Sequence, residues 1–351
     1  MIGKNLVIWV LADNRVGNYS QAVGLAERIA EKLINIIPTE LKIKKINYNI
    51  LAKLPNLLKI DGMAGINKAS KQSLLNLFTD TPNIIISAGR KTAPIATFLK
   101  SYYHNSRPFA VQIMHPNLDF NKFDLVILPK HDKPEGFLNK ISSNNIVRIN
   151  GALTRINQKL LQEECQKIAL QFDKLDLPKI ALLVGGPSKE AKFSQKIAKD
   201  LGVLVSKITN NMQAHLLIIN SRRTGRYLTE ALDANLKCLK TFFKWQQDNW
   251  QNPYFAVLQE ADFIIVTGDS ISMCSEVCSL GKPVYIFNPK QICSAKHLRF
   301  HQNLFDCELA KKLELTDMLL MDYPVKKLDE TENIAKLVID MMPKPLNTLT
   351  N

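Results

Sequence analysis

Residues 266–287 read VTGDSISMCSEVCSLGKPVYIF. The apolar run DFIIVT (262–267) meets Gly268-Asp269-Ser270, and a short helical stretch (271–280) carrying Glu276 follows. Gly281-Lys282-Pro283 then leads into a second apolar strand, VYIF (284–287). Strand, helix and strand in succession make a βαβ unit, whose two strands lie parallel in one sheet.

The same alternation runs outward in both directions. Upstream lie the strands KIALLVGG (179–186) and HLLIIN (215–220), with helices expected over 157–173, 189–201 and 226–240. Earlier still, LVIWVLA (6–12), LKIKKINY (41–48), NIIISA (83–88), FAVQIM (109–114) and DLVIL (124–128) read as strands. Helices are expected between them at 21–37 and 92–103. Strands separated by helices predict parallel sheets covered on both faces. The rhythm resets near Asn150-Gly151, and a helix from about Glu330 to Met342 follows Asp322-Tyr323-Pro324. The expected fold is α/β: two Rossmann-like domains, 1–150 and 151–325, with a C-terminal helix and tail (326–351) packing back on the first.

Composition narrows the function classes. Of the 351 residues 46% are hydrophobic and 22% charged, as in soluble globular proteins. No apolar run approaches the roughly 18 residues that span a bilayer. Leu6–Ala12 is followed at once by Asp13 and Arg15, which reads as a first strand and not a secretion signal. A cytosolic protein is expected. Six cysteines occur without CxxC spacing, and Cys274 and Cys278 share one helical face as small core residues. No metal site and no cofactor are expected. The net charge is +14, with Lys far above Arg. Compositional drift in a low-GC genome accounts for most of it, while a weak peripheral attachment to an anionic inner-membrane face stays open. No basic run interleaved with aromatics is present, so nucleic acid is not an expected partner.

Open parallel sheets bind ligands beyond the carboxyl ends of their strands. After the first strand, Asp13, Arg15, Gly17, Asn18 and Gln21 read as a ligand-facing loop, although Asn18 or Ser20 could simply cap the next helix. Gly89-Arg90-Lys91-Thr92 sets two cations at a helix start, where the dipole disfavours positive charge and a bound anion would relieve the conflict. His115, before Pro116, is a candidate general base; His131 is a weaker one. In the second half Gly185, Gly186 and Ser188 end one strand, with glycines that let a backbone approach phosphate. Ser221, Arg222, Arg223 and Thr224 end the next, a diphosphate-suited set. Asp269 or Ser270 can cap the helix 271–280, but neither accounts for Glu276 on an apolar helix. A carboxylate there can accept two ribose hydroxyls.

Two such domains, with diphosphate donors and a helix glutamate in the second, resemble the GT-B glycosyltransferases. In that architecture the domains face each other across a cleft, with the nucleotide-sugar donor mainly in the C-terminal one and the acceptor in the N-terminal one. The stretch Gly268…Glu276…Gly281-Lys282-Pro283 looks like its donor segment. The chain is also similar to the family named after a plant mitochondrial fission factor, whose bacterial members are often labelled nucleoside-diphosphate-sugar epimerases. The resemblance rests on DNRVGNYSQAVGLAE, ISAGRKTAPIA, VQIMHP, PKHDKP, GALTRI, LLVGGPSK, SRRT and NPYFAVLQEADFIIVTGDSISMCSEVCSLGKPV, in order over residues 13 to 283. No GxGxxG follows the first strand, so NAD-dependent epimerisation lacks its machinery. The expected activity is metal-independent sugar transfer from a nucleoside-diphosphate sugar to a lipid-linked or envelope acceptor, with Asp13 or His115 as base. The competing expectation is a non-catalytic scaffold that recruits a partner to a membrane.

Overall fold

The computed structural model describes residues 5–56, 62–75, 81–132, 144–167, 176–188, 191–245 and 252–343. The chain divides into two compact units: residues 1–155 with 329–351, and residues 156–328.

In unit 1, β1 (Leu6–Ala12), α1 (Val16–Leu33), β2 (Thr39–Lys45), α2 (Lys68–Leu74), β3 (Ile84–Ala88), α3 (Ala93–Tyr102), β4 (Phe109–Ile113), β5 (Leu125–Pro129) and β6 (Ile146–Ile149) follow in order. The six described strands are parallel and ordered β2-β1-β3-β4-β5-β6. β1 is buried on both faces. Leu6, Ile8 and Val10 join one apolar cluster, while Val7, Trp9 and Leu11 join the other. This period of two is what a doubly covered strand requires.

Unit 2 runs α4 (Gln158–Lys167), β7 (Lys179–Val184), α5 (Gln195–Asn211), β8 (His215–Asn220), α6 (Gly225–Asn235), β9 (Lys240–Phe243), α7 (Tyr254–Glu260), β10 (Phe263–Thr267), α8 (Ile271–Cys278), β11 (Val284–Phe287), α9 (Ala295–Asp306) and β12 (Lys311–Lys312). Its described strands are also parallel, ordered β12-β11-β10-β7-β8-β9. The expected α/β class with two Rossmann-like domains is observed.

The C-terminal helix α10 (Glu330–Met341) returns to unit 1, as expected. Ile334, Ala335 and Val338 enter the α1-side core. Arg28 and Lys32 of α1 pair with Glu332, and Thr331 Oγ1 accepts the Thr154 N–H at 2.8 Å.

Three expected elements are corrected. The helix placed at 21–37 begins at Val16 and ends at Leu33. The helix placed at 189–201 begins at Gln195, where Ser194 caps it, and ends at Asn211; positions 189 and 190 lie outside the described residues. The helix placed at 226–240 ends at Asn235, and Lys240–Phe243 is an edge strand. Of the helix placed at 157–173, the part beyond Lys167 lies outside the described residues, as do positions 133 and 134 of PKHDKP.

Candidate functional site

The strand orders place a topological switch point in each sheet, between β1 and β3 in unit 1 and between β7 and β10 in unit 2. Ligands of open α/β sheets bind at such points.

At the unit 2 switch point the polar strand ends are brought together, and most of them hold one another. The Gly185 N–H donates to Thr267 Oγ1 and the Gly186 N–H to Asp269 Oδ2, each at 2.8 Å. The Thr267 hydroxyl donates to Asp269 Oδ1 at 2.7 Å. From the end of β8, the Arg223 guanidinium reaches Asp269 Oδ2 and the Gly186 carbonyl, both at 2.9 Å. Asp269 is only 4% exposed, so its charge is balanced locally by Arg223. A side chain at Gly185 would strike the Asp269 carboxylate, and one at Gly186 the backbone of Arg223 and Thr224. A side chain at Gly268 would likewise strike His301. Gly185 and Gly186, expected to let the backbone approach phosphate, have their own N–H groups engaged by Thr267 and Asp269, and the glycines permit close loop packing.

Ser221 and Thr224 also turn inward. Their hydroxyls lie 3.2 Å apart, and Thr224 Oγ1 bonds the Val184 and Gly185 carbonyls. Ser188 lies on a loop whose N–H donates to the Ala191 carbonyl at 3.0 Å, not at a helix start. Arg222 is exposed and makes no ion pair among the described residues. Ser270, not Asp269, caps α8 through the Met273 N–H.

Glu276 lies on the second turn of α8, between core residues Cys274, Val277 and Cys278. Its Oε2 accepts the Tyr254 hydroxyl at 2.6 Å, and among the described residues no donor reaches Oε1. Burial pushes its carboxyl up to about 7, opposed by the Tyr254 hydrogen bond. Sequence reasoning missed Tyr254 and Thr267. Tyr254 stands in the NPYF stretch, but only its hydrogen bond to Glu276 in the folded chain gives it a role.

A cavity of about 800 Å³ opens at the opposite, amino end of this sheet, against Lys179, Asp262 and Lys282. Lys282 Nζ donates there to the carbonyls of Leu258 (3.0 Å), Gln259 (2.6 Å) and Ala261 (2.8 Å), and Lys179 pairs with Glu260. Its cations are thus committed, and the strand-end site is the better anion candidate.

In unit 1, Asp13 is buried, and its carboxylate accepts the Arg15 N–H and Asn18 Nδ2, each at 2.9 Å. Asn18 Nδ2 also reaches the Ala88 carbonyl at 3.2 Å, tying the start of α1 to the end of β3. Gly17, Asn18 and Gln21, expected on a loop, lie within α1, whose start has no side-chain cap. Gln21 is buried and donates to the Gly17 carbonyl at 3.1 Å. Gly89 has φ +77, and a side chain there would meet Asn18. Thr92 is buried, its hydroxyl bonding the Ala88 backbone at 2.9 and 3.1 Å. The Lys91 ammonium lies 4.8 Å from the Tyr48 ring centroid.

His115 sits between Met114 (φ +63) and Asn117 (φ +52), two left-handed residues that make a strained turn. Its Nδ1 lies 2.9 Å from Asn117 Oδ1 and 3.1 Å from the Asn117 N, so the tautomer decides which of the two it bonds, and among the described residues no partner reaches Nε2. His131 is buried.

Among the described residues, no group of three His, Cys, Asp or Glu side chains could hold a metal ion, and no helix is long and apolar enough to cross a membrane.

A family profile described as Mitochondrial fission ELM1 matches residues 16–342. The chain is 34% identical over 358 residues to Uncharacterized protein RP120 of Rickettsia prowazekii, covering 94% of this chain and 97% of that one. It is 30% identical over 274 residues to Mitochondrial fission protein ELM1 of Arabidopsis thaliana, covering 69% of this chain and 61% of that protein. Among solved structures, UDP-GlcNAc 2-epimerase from Methanocaldococcus jannaschii aligns with a TM-score of 0.51 at 12% identity. That alignment covers 95% of this chain and 99% of the other, a likeness of fold alone.

Proposed function

This chain belongs to the mitochondrial fission ELM1 family, and from that premise we propose that unit 2 binds a nucleoside-diphosphate sugar for metal-independent glycosyl transfer. The observation that carries the reading is Glu276. One carboxylate oxygen is fixed by Tyr254, the other has no protein donor among the described residues, and α8 starts at the switch point. That arrangement suits a pair of ribose hydroxyls. The solved protein of like fold is named for UDP-GlcNAc, which supports the same ligand class.

Arg222 is the cation left to stabilise the departing diphosphate, the charge such a transfer must hold. Arg223 and Asp269 act behind it by holding the strand ends in place. Asp13 has both oxygens engaged, so His115 is the proposed base: in the tautomer whose Nδ1–H donates to Asn117 Oδ1, the lone pair is on Nε2, which is open to accept a proton. Arg90 and Lys91 remain available to an anionic acceptor.

Calorimetry with UDP, GDP, ADP and CMP sugars tests the reading, and binding by none of them overturns it. Ribose hydroxyls donate to the ionised carboxylate, so binding draws a proton off Glu276. Affinity should then rise about tenfold from pH 6 to pH 8 and level off above, with net proton release in buffers of differing ionisation heat.

A second reading is favoured by the inward commitment of Gly185, Gly186, Ser221, Thr224, Arg223 and Asp269, which leaves little of the cluster to a ligand. On that reading the protein is a non-catalytic scaffold. Glu276→Ala and Arg222→Ala separate the two: loss of function with the fold intact removes the scaffold, and unchanged function removes the transferase.

A further inference from the structure

The loops at the carboxyl end of the unit 1 sheet carry uncovered apolar side chains. Val16 is 80% exposed, Ile50 78%, Leu51 43% and Leu54 41%. They belong to one continuous rim. Residues 48–56 cross the β3–α3 loop and are anchored at both ends. At one end the Tyr48 ring lies beneath the Lys91 ammonium. At the other, Asn56 Nδ2 donates to the carbonyls of Arg90 (2.7 Å) and Pro116 (2.8 Å). Between these anchors the 3-10 turn Ile50–Lys53 presents Ile50 and Leu51, and Leu54 follows. Tyr48 also lies within electrostatic reach of Asp13 and Arg15, which brings the start of α1, and Val16, to the same edge.

The rim is cationic as well as apolar. Arg15, Lys53, Arg90 and Lys91 make no ion pair among the described residues. Over 13–16, 48–56, 89–92 and 115–117 the one carboxylate is Asp13, which is buried and engaged. Exposed apolar side chains interleaved with unpaired cations match the two layers of a bilayer interface, acyl boundary and lipid phosphate. A symmetric contact with a second copy would set these cations against themselves.

We propose that this rim docks on an anionic membrane, with Val16, Ile50, Leu51 and Leu54 entering the interface and Arg15, Lys53, Arg90 and Lys91 holding lipid phosphates. The proposal concerns unit 1 alone and stands whether or not unit 2 binds a nucleotide sugar.

Flotation of the full chain with vesicles tests it. The chain should rise with phosphatidylcholine vesicles containing phosphatidylglycerol and remain behind with phosphatidylcholine alone, and salt should release it. The double variant Ile50→Asp, Leu54→Asp should lose at least about tenfold in partitioning, since charged residues are expelled from the interface. Arg90→Ala with Lys91→Ala should abolish the preference for the anionic lipid. Circular dichroism establishes that each variant is folded, and Val16→Asp serves if the double variant is not. The proposal falls if wild type floats with neither vesicle or if the Asp variants partition like wild type. It falls too if those variants change the oligomeric state in light scattering, which would mark the rim as a protein interface.

Discussion

Glu276 pays for its position on an apolar helix face in protonation. Its folded-state carboxyl, at about 7, lies above the ordinary value of 4.5. Stability from the neutral form is therefore full below pH 4.5 and is lost as pH rises through about 7. Glu276→Gln keeps the shape and removes the ionisation. It should stabilise the protein at pH 8 by on the order of 2–3 kcal/mol and make no difference below about pH 4. Denaturant unfolding of both proteins at the two pH values checks this. At this scale, residue chemistry was legible and side-chain direction was not. Gly186 and Asp269 are 83 positions apart, and nothing local reveals that one donates to the other. Strand adjacency decides it. The same holds for Tyr254 and Glu276, 22 positions apart, which meet only because the fold brings the start of α7 to α8.

Strands buried on both faces were easy to recognise because their apolar runs are unbroken: β1, β3, β4, β7 and β8 all came from the sequence nearly whole. Helix ends were harder where the stop signal is a distant side chain and not a glycine. α6 was extended to 240, yet Lys240 folds back and donates to the carbonyls of Asp233 and Leu236, both at 3.0 Å, closing the helix at Asn235. The segment after it pairs as the edge strand β9, whose half-buried pattern gave no alternation to detect. Lys282 does the same service for α7 through three carbonyls, satisfying the acceptors every helix leaves at its end. Lys282→Met should leave them unpaired in a half-buried place and cost about 1–3 kcal/mol, measured as a lowered midpoint in urea without a change in slope.

Two alternations of strand and helix, each restarting after its own run, made two Rossmann-like units legible. The amphipathic last helix was legible too, and its apolar stripe demanded a partner in a core. What composition could not give was the depth of that dependence. Ile334, Ala335 and Val338 are buried at 2% exposure or less against α1, so unit 1 lacks part of its core until α10 arrives. Unit 2 is one unbroken segment. A fragment of residues 156–328 should accordingly unfold as a single cooperative transition. A fragment of residues 1–155 should bind hydrophobic dye and gain a sharp melt only when residues 329–351 are supplied. Calorimetry and dye fluorescence of the fragments check both statements. The same discontinuity orders events on the ribosome. The portion translated first must wait, one flank still greasy and open, while the whole of the other portion is made. Chaperone demand should therefore fall on the earliest-made half, and a stalled ribosome would release it unfinished.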